Sequence, residues 1–477
     1  MRTILPLVVL LGMLAGCTAT VSSVSPNSVA AGGPPFSLTV LGKGFTQESA
    51  VQWSGAKRAT TYVSATELVA QIDAADIATT GSASVTVSNP YTTGGTSSTG
   101  STAASNAKSV SIVAPSIDAT AFQIDPAHEG AMTFASVSFP AKASWRVSLG
   151  AGAPSNLVIA DDRVFLTLGT SAGSELLALT QATGATAWGP KAIAGVPAGS
   201  AGVAYDNGRL FVADNQSGVS SLYAYDAGTG ALDWSTAFDA GSAGAPTAAD
   251  GLVYVIVTGS ATLYALDEST GAITWQQPLS SAGGVSAVTA DGVYVTATNG
   301  GCYTFDFRPA TGEVIWNSSD GTSFCPQTTE GTPIVANELV YSPSSTGTSI
   351  FSAETGSSSG TLADSLPAAF TTSMAYFPVS PDLDAVSLSD GSVAWTFNGN
   401  GSDLTTLPII VNQYLITGSS GGSVYALDAT SGKTVWSQTS AGQVEQLAAG
   451  DGLLLVLNEA NSDGGGTLTA YALSTSP

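Results

Sequence analysis

Side chains able to carry chemistry are scarce in this chain. Its 477 residues include one His and three Cys, and 12 Lys and Arg stand against 35 Asp and Glu for a net charge of −23. Histidine-based zinc sites and Ser-His-Asp triads need His, and the single one, His128, lies in a stretch between two strand-rich regions. No Gly-rich nucleotide loop stands between a strand and a helix, and no D-x-[DN]-x-[DN]-G calcium loop is present, so neither a cofactor nor a metal is expected. An acidic, Lys-poor surface repels nucleic acid and anionic headgroups. Cys302 and Cys325 flank Trp316 and, with Cys17 set aside, form an even pair. In an oxidising compartment they read as a disulfide that stabilises by roughly 3 kcal/mol; the alternative is two reactive thiols. No catalytic residue is expected.

The residues that recur do so with a period. LYALDESTGAITW (263–275) returns as LYAYDAGTGALDW (222–234) and VYALDATSGKTVW (424–436), and more loosely as LLALTQATGATAW (176–188) and LDAVSLSDGSVAW (383–395). YTFDFRPATGEVIW (303–316) reads as a lengthened copy. Trp188, Trp234, Trp275 and Trp316 are spaced by 46, 41 and 41 residues, and Trp395 and Trp436 by 41. The 79 residues from Trp316 to Trp395 hold about two periods, so the copy around SIFSAETGSSSGT (349–361) has lost its Trp. Such a period fits four-stranded propeller blades.

Each period carries four strand signals. In the copy at 244–279, runs rich in Val, Tyr, Leu, Ile and Thr are separated by an Asp250-Gly251 turn, a Gly-Ser link and a Thr270-Gly271 turn. In the recurring segment Asp226, Asp267 and Asp428 open a turn and can accept local N–H bonds, Gly230, Gly271 and Gly432 take the positive-φ position, and the Trp packs on a neighbouring blade. These residues therefore read as structural. The last copy stops before its Trp, while Trp145 stands upstream without a preceding copy, so the strand around Trp145 completes the final sheet and closes the ring. The expected fold is all-β, with an eight-bladed propeller over 145–477, or seven blades if the degenerate stretch is not a full sheet.

The repeat resembles the PQQ-like, quinoprotein-type propeller motif A-x-D-x-x-T-G-x-x-x-W, matched fully by Ala224, Asp226, Thr229, Gly230 and Trp234 and by Ala265, Asp267, Thr270, Gly271 and Trp275. Partial matches have Ser431 for Thr, Thr180 for Asp and Ser387 for Asp. The resemblance implies two activities. Quinoprotein dehydrogenases hold pyrroloquinoline quinone on calcium beneath two adjacent Cys, with Arg and Lys in the funnel; this chain has no adjacent Cys pair, and only Lys191 and Lys433 follow Trp145. BamB-type propellers share the repeat without cofactor chemistry and assist outer-membrane barrel assembly, but pass almost directly from anchor to propeller.

Residues 1–16 have one Arg, a short apolar run and small residues before Cys17, which describes a secretory signal peptide. Leu14-Ala15-Gly16-Cys17 resembles the bacterial lipobox and implies lipidation of Cys17, and Thr18 resembles the outer-membrane sorting class if the cell is Gram-negative. Residues 17–114 resemble the IPT/TIG immunoglobulin-like family, from VSSVSPNSVAAGG and FSLTVLGKGF to VTVSNPYTTGG, and imply a small β-sandwich that acts as a stalk or a binding module. Residues 115–144 read as a connector. The chain is expected to be an extracytoplasmic, lipid-anchored, non-catalytic scaffold that binds an envelope protein or glycan. BamB-like assembly, adhesion and quinoprotein dehydrogenation are the alternatives.

Overall fold

The computed structural model describes residues 19–25, 28–30, 36–89, 103–113, 118–134, 137–170, 172–193, 202–213, 219–238, 241–281, 284–322, 325–326, 331–459 and 465–473. Cys17, with the leader before it, and most of the Gly/Ser/Thr-rich stretch 92–105 lie outside these residues. The chain divides into two compact units, Met1–Ser116 and Ile117–Pro477. Among the described residues no helix is long and apolar enough to cross a membrane.

The first unit is a pair of sheets. One orders its strands Thr20–Ser25, Phe36–Lys43, Glu67–Ile72 and Thr60–Ser64; the other runs Ser28–Ala30, Lys108–Val113, Gly81–Asn89, Ala50–Trp53 and Ala56–Lys57, with Ala103–Ala104 also beside Gly81–Asn89. Alternation places every second side chain inward. Leu38 and Val40 from one sheet meet Val51, Trp53, Val85, Val87 and Val110 from the other in a single core.

Among the described residues the second unit holds eight sheets, at residues 158–192, 203–238, 247–278, 287–319, 334–362, 369–397, 409–439 and 444–472. Within each of the first seven, successive strands pair antiparallel, as Thr247–Ala249, Leu252–Val257, Thr262–Asp267 and Ile273–Pro278 do in the third. In the eighth, Lys142–Ala151 pairs antiparallel with the C-terminal strand Gly465–Ala472 and supplies the outermost strand. Every sheet shares an apolar core with the next, and the eighth shares one with the first, so the ring is closed. The stretch that lost its Trp forms a complete four-stranded sheet, the fifth.

Two details differ from the sequence reading. The copy ending at Trp316 has no insertion: Asp306 pairs with Trp316 as Ala265 pairs with Trp275, and Arg308 therefore stands where Asp267 does. The repeat is anchored by the four-residue step from the turn Gly to the Trp, and Asp306 falls two residues before the position of the turn Asp. Residues 118–134, read as part of a connector, belong to the second unit and bond to its sheets.

Candidate functional site

The recurring Trp residues join one sheet to the next. Each ring lies over the turn Gly of the following sheet, so closely that a Cβ on that Gly would sit 2.4 Å from Trp145 at Gly184, 2.6 Å from Trp188 at Gly230 and 2.5 Å from Trp234 at Gly271. The separations are 2.6 Å for Trp275 at Gly312, 2.5 Å for Trp316 at Gly356 and 2.7 Å for Trp395 at Gly432. Only a residue without a side chain fits there, and the positive φ of the turn favours Gly for a second reason. The indole N–H donates to the carbonyl three residues before the Gly: Gln181 for Trp145 (2.6 Å), Ala227 for Trp188 (2.9 Å), Glu268 for Trp234 (2.8 Å), Pro309 for Trp275 (2.7 Å) and Ala353 for Trp316 (2.9 Å). At Trp395 the equivalent carbonyl, Ala429, is taken by the Tyr376 hydroxyl at 2.9 Å, and the indole N–H has no partner. Trp436 faces a sheet without this turn and packs instead on Phe139 (5.5 Å, stacked) and Tyr471 (5.2 Å, edge-on).

The motif carboxylates serve the turns. Asp226 accepts from the Thr229 N–H and hydroxyl, Asp267 from those of Ser269 and Thr270, and Asp428 from those of Ser431. The hydroxyl bonds, and then the local N–H bonds, hold all three carboxyls below the usual carboxylate range. Lys191 donates to the Thr229 and Gly230 carbonyls at 2.9 and 2.6 Å, with its ammonium 5.6 Å from the Trp188 ring, which places it at a junction between sheets. Cys302 and Cys325 are joined by a disulfide, and both are buried.

Chemistry unlike these repeats gathers where residues 118–134 cross the inner strands. Main-chain bonds run to Ile159 of the first sheet from Ala119, to Tyr205 of the second from Thr120, and to Val288 of the fourth from Pro126. Others link Ala127 to Val335, Glu129 to Phe370, Gly130 to Ile410 and Met132 to Asn412, in the fifth, sixth and seventh sheets. His128 is fully buried, with Nδ1 2.8 Å from the Phe122 carbonyl and Nε2 3.0 Å from that of Ser286. Burial lowers the imidazole pKa and the two carbonyls oppose that shift, so the ring works as a brace between this segment and the fourth sheet. Burial, with Glu129 next, pushes the neighbouring Asp125 carboxyl up to about 7.

Beside this segment lies a cavity of about 420 Å³. Phe122, Gln123 and Ile124 form one wall, and the residues leading into the first strands form the others, among them Asn156, Leu157, Ala245, Thr405 and Glu445. Gln123 donates through Nε2 to the Ala368 carbonyl at 3.0 Å, while its buried Oε1 has no partner and remains an acceptor. Asn156 pairs with both main-chain groups of Val203, donating to its carbonyl and accepting from its N–H. Sequence reasoning missed Gln123 and Asn156, because residues that line a cavity from loop positions carry no periodic signal.

This donor set does not suit pyrroloquinoline quinone. That cofactor bears three carboxyl groups, whereas among the described residues the lining offers one carboxylate, Glu445, and no Lys or Arg. Burial and the nearby Glu459 raise the Glu445 pKa, so the wall opposes added negative charge. Among the described residues no group of three or more His, Cys, Asp or Glu is placed to hold a metal ion.

An eight-sheet ring stitched by Trp-over-Gly contacts defines a β-propeller of the PQQ-like repeat class. Residues 172–357 and 380–475 match the family model described as outer membrane protein assembly factor BamB, and the chain belongs to that family. Residues 19–103 match the IPT/TIG domain model, which gives the first unit its immunoglobulin-like class. BamB from Moraxella catarrhalis is similar at 19% identity and a TM-score of 0.53, over 70% of this chain and 99% of that one. A quinohemoprotein alcohol dehydrogenase from Pseudomonas putida HK5 is similar at 14% identity and a TM-score of 0.59, over 76% and 81%. A europium-containing methanol dehydrogenase is similar at 14% identity and a TM-score of 0.59, over 75% and 98%. Identities this low establish the fold alone. No curated protein matches the chain in sequence.

Proposed function

We propose that this protein is a non-catalytic binding or scaffold protein of the bacterial cell envelope, tethered by a lipid on Cys17, whose propeller takes an envelope protein or glycan as its partner. The observation that carries the reading is the cavity wall of Phe122, Gln123 and Ile124, which presents apolar surface and an amide where redox chemistry on a tricarboxylate would need cations. His128 is spent as a brace, and the two propeller lysines, Lys191 and Lys433, are not among the residues lining the cavity. Support for the envelope comes from the Leu-Ala-Gly-Cys sequence and from membership of a family described by outer-membrane protein assembly.

Assembly of outer-membrane proteins is the second reading, favoured by the family match, while the added IPT/TIG unit sets this chain apart from a bare propeller. Cross-linking in intact cells followed by pull-down separates the two. Enrichment of barrel-assembly components supports the assembly role, and enrichment of other envelope proteins or glycans supports the broader scaffold. Dye reduction by the purified protein with pyrroloquinoline quinone, calcium and an alcohol would overturn both. Cys17→Ser is expected to move the protein from the membrane fraction to the soluble envelope fraction or the medium, and undiminished membrane retention would remove the anchor.

A further inference from the structure

We propose that the junction between the fifth and sixth sheets is a docking socket for a tryptophan side chain on an extended segment of a partner polypeptide. The sibling junctions set the pattern. In the first, second, third, fourth and sixth sheets, the aromatic residue of the second strand lies beside that sheet's own Trp: Phe165 with Trp188 at 6.0 Å, Phe211 with Trp234 at 6.0 Å and Tyr254 with Trp275 at 5.9 Å. Tyr294 lies 6.0 Å from Trp316, and Tyr376 lies 5.8 Å from Trp395. The fifth sheet keeps that aromatic residue, Tyr341, and the following sheet keeps its turn Gly, Gly391. Between them, register places Gly360 opposite Ile350, in the position held by Trp275 opposite Ala265.

The face of Gly391 is left uncovered. A Cβ on Gly391 would have Leu362 Cδ2 at 3.8 Å as its nearest neighbour, where the sibling turn glycines meet an indole below 3 Å. A cavity of about 370 Å³ lies at that turn, lined by Ser344, Thr348, Thr361, Leu362, Asp390 and Gly391 among others, while the Tyr341 side of the junction is covered by the Phe370 ring of the sixth sheet at 4.2 Å. Tyr341 is fully buried, and its hydroxyl has no hydrogen-bond partner. The Leu388 carbonyl stands three residues before Gly391, the position from which sibling turns accept the indole N–H.

The strand bearing Gly360 also suits a polypeptide partner. Ser358–Leu362 is the outermost strand of its sheet, so one edge of its backbone is unpaired, and its first four residues are small or polar and exposed. A partner strand laid along that edge would add main-chain hydrogen bonds and bring its Trp over Gly391. Every Trp of the second unit is already seated at a junction and Trp53 is in the core of the first, so a ring seated over Gly391 would be supplied by another polypeptide.

The test uses a labelled, end-capped peptide of sequence ITWQQ, residues 273–277, on the full-length protein, read by fluorescence anisotropy and by hydrogen exchange across residues 358–362. Saturable binding with Kd of about 0.1–1 mM is expected, with protection of that strand. The same peptide with Trp replaced by Ala should bind at least about tenfold more weakly. Gly360→Trp should supply the ring in cis and weaken peptide binding by a similar factor. Gly360 has φ +144°, so the variant must first relax to a conformation that Trp accepts. If it does not fold, the peptide pair on the unmodified protein decides. Equal binding of the two peptides, or no binding of either at several times that concentration, overturns the proposal.

Discussion

Trp275→Ala lowers the stability of the propeller by about 3–5 kcal/mol, measured by urea or thermal unfolding of the purified protein. The ring is buried between Tyr254 at 5.9 Å, Phe307 at 6.4 Å and the turn at Gly312. Its removal opens a cavity at a sheet junction and leaves the Pro309 carbonyl without the indole donor 2.7 Å away. Trp395→Ala is the internal control. That ring covers Gly432 in the same way, but its N–H has no acceptor, so its loss should cost about 1 kcal/mol less. Equal losses at the two positions would show that the hydrogen bond contributes nothing and that apolar contact alone joins the sheets.

Lowering the pH from 8 to 5.5 is expected to stabilise the protein by on the order of 3 kcal/mol, after discounting for solvent screening. Burial is the first cause of raised pKa values at Asp125, Glu268 and Asp306, each pushed up to about 7, and at Asp451, pushed up to about 6. Asp206 adds to the shift at Glu268, and Asp118 to that at Asp451. An acid whose folded pKa lies above its unfolded value binds more protons when native, so stability falls as pH rises between the two values. That window runs from about 4 to about 7. His128 works in the other direction, since its lowered pKa removes stability as pH falls below about 6.5, but it is one group against four. The turn carboxylates Asp226, Asp267 and Asp428 lose their contribution only below the usual carboxylate range. Asp306→Ala isolates one member: it installs the residue found at that register in the third sheet, removes a buried oxygen that has no partner, and should shrink the difference between pH 8 and 5.5. A flat pH profile in the unmodified protein would contradict the burial assigned to these acids.

The ring was legible in the sequence because its stitching is made by side chains. A Trp recurring at about 41 residues from Trp188 onward, four residues after a Gly in each copy, reports a contact whose geometry excludes every other residue from the Gly position. The path of residues 118–134 was not legible, because it is held by main-chain bonds to seven inner-strand positions, and such bonds leave no mark on residue type. The Asp at 306 misled for a related reason. An Asp flanked by Phe imitates the turn Asp, and only the count back from Gly312 shows that it sits in the core. Gly360 carried a usable signal, since a missing Trp in a regular series marks the junction where the series is interrupted.

The pairing of Lys142–Ala151 with Gly465–Ala472 also sets the order in which the chain can fold. The first six sheets are built from consecutive strands, and the seventh adds to its own strands only Ala131–Met132, made earlier, so each can form as soon as its own segment has been synthesised. The eighth cannot. Its outermost strand is made early and must wait through more than 300 residues of synthesis for the strand that pairs with it, while the flank of the first sheet that the eighth will cover stays exposed. Completion of the ring therefore waits until Gly465–Ala472 has been made. Until then the nascent propeller is an open arc with two apolar ends, the stage at which aggregation and chaperone capture compete with closure.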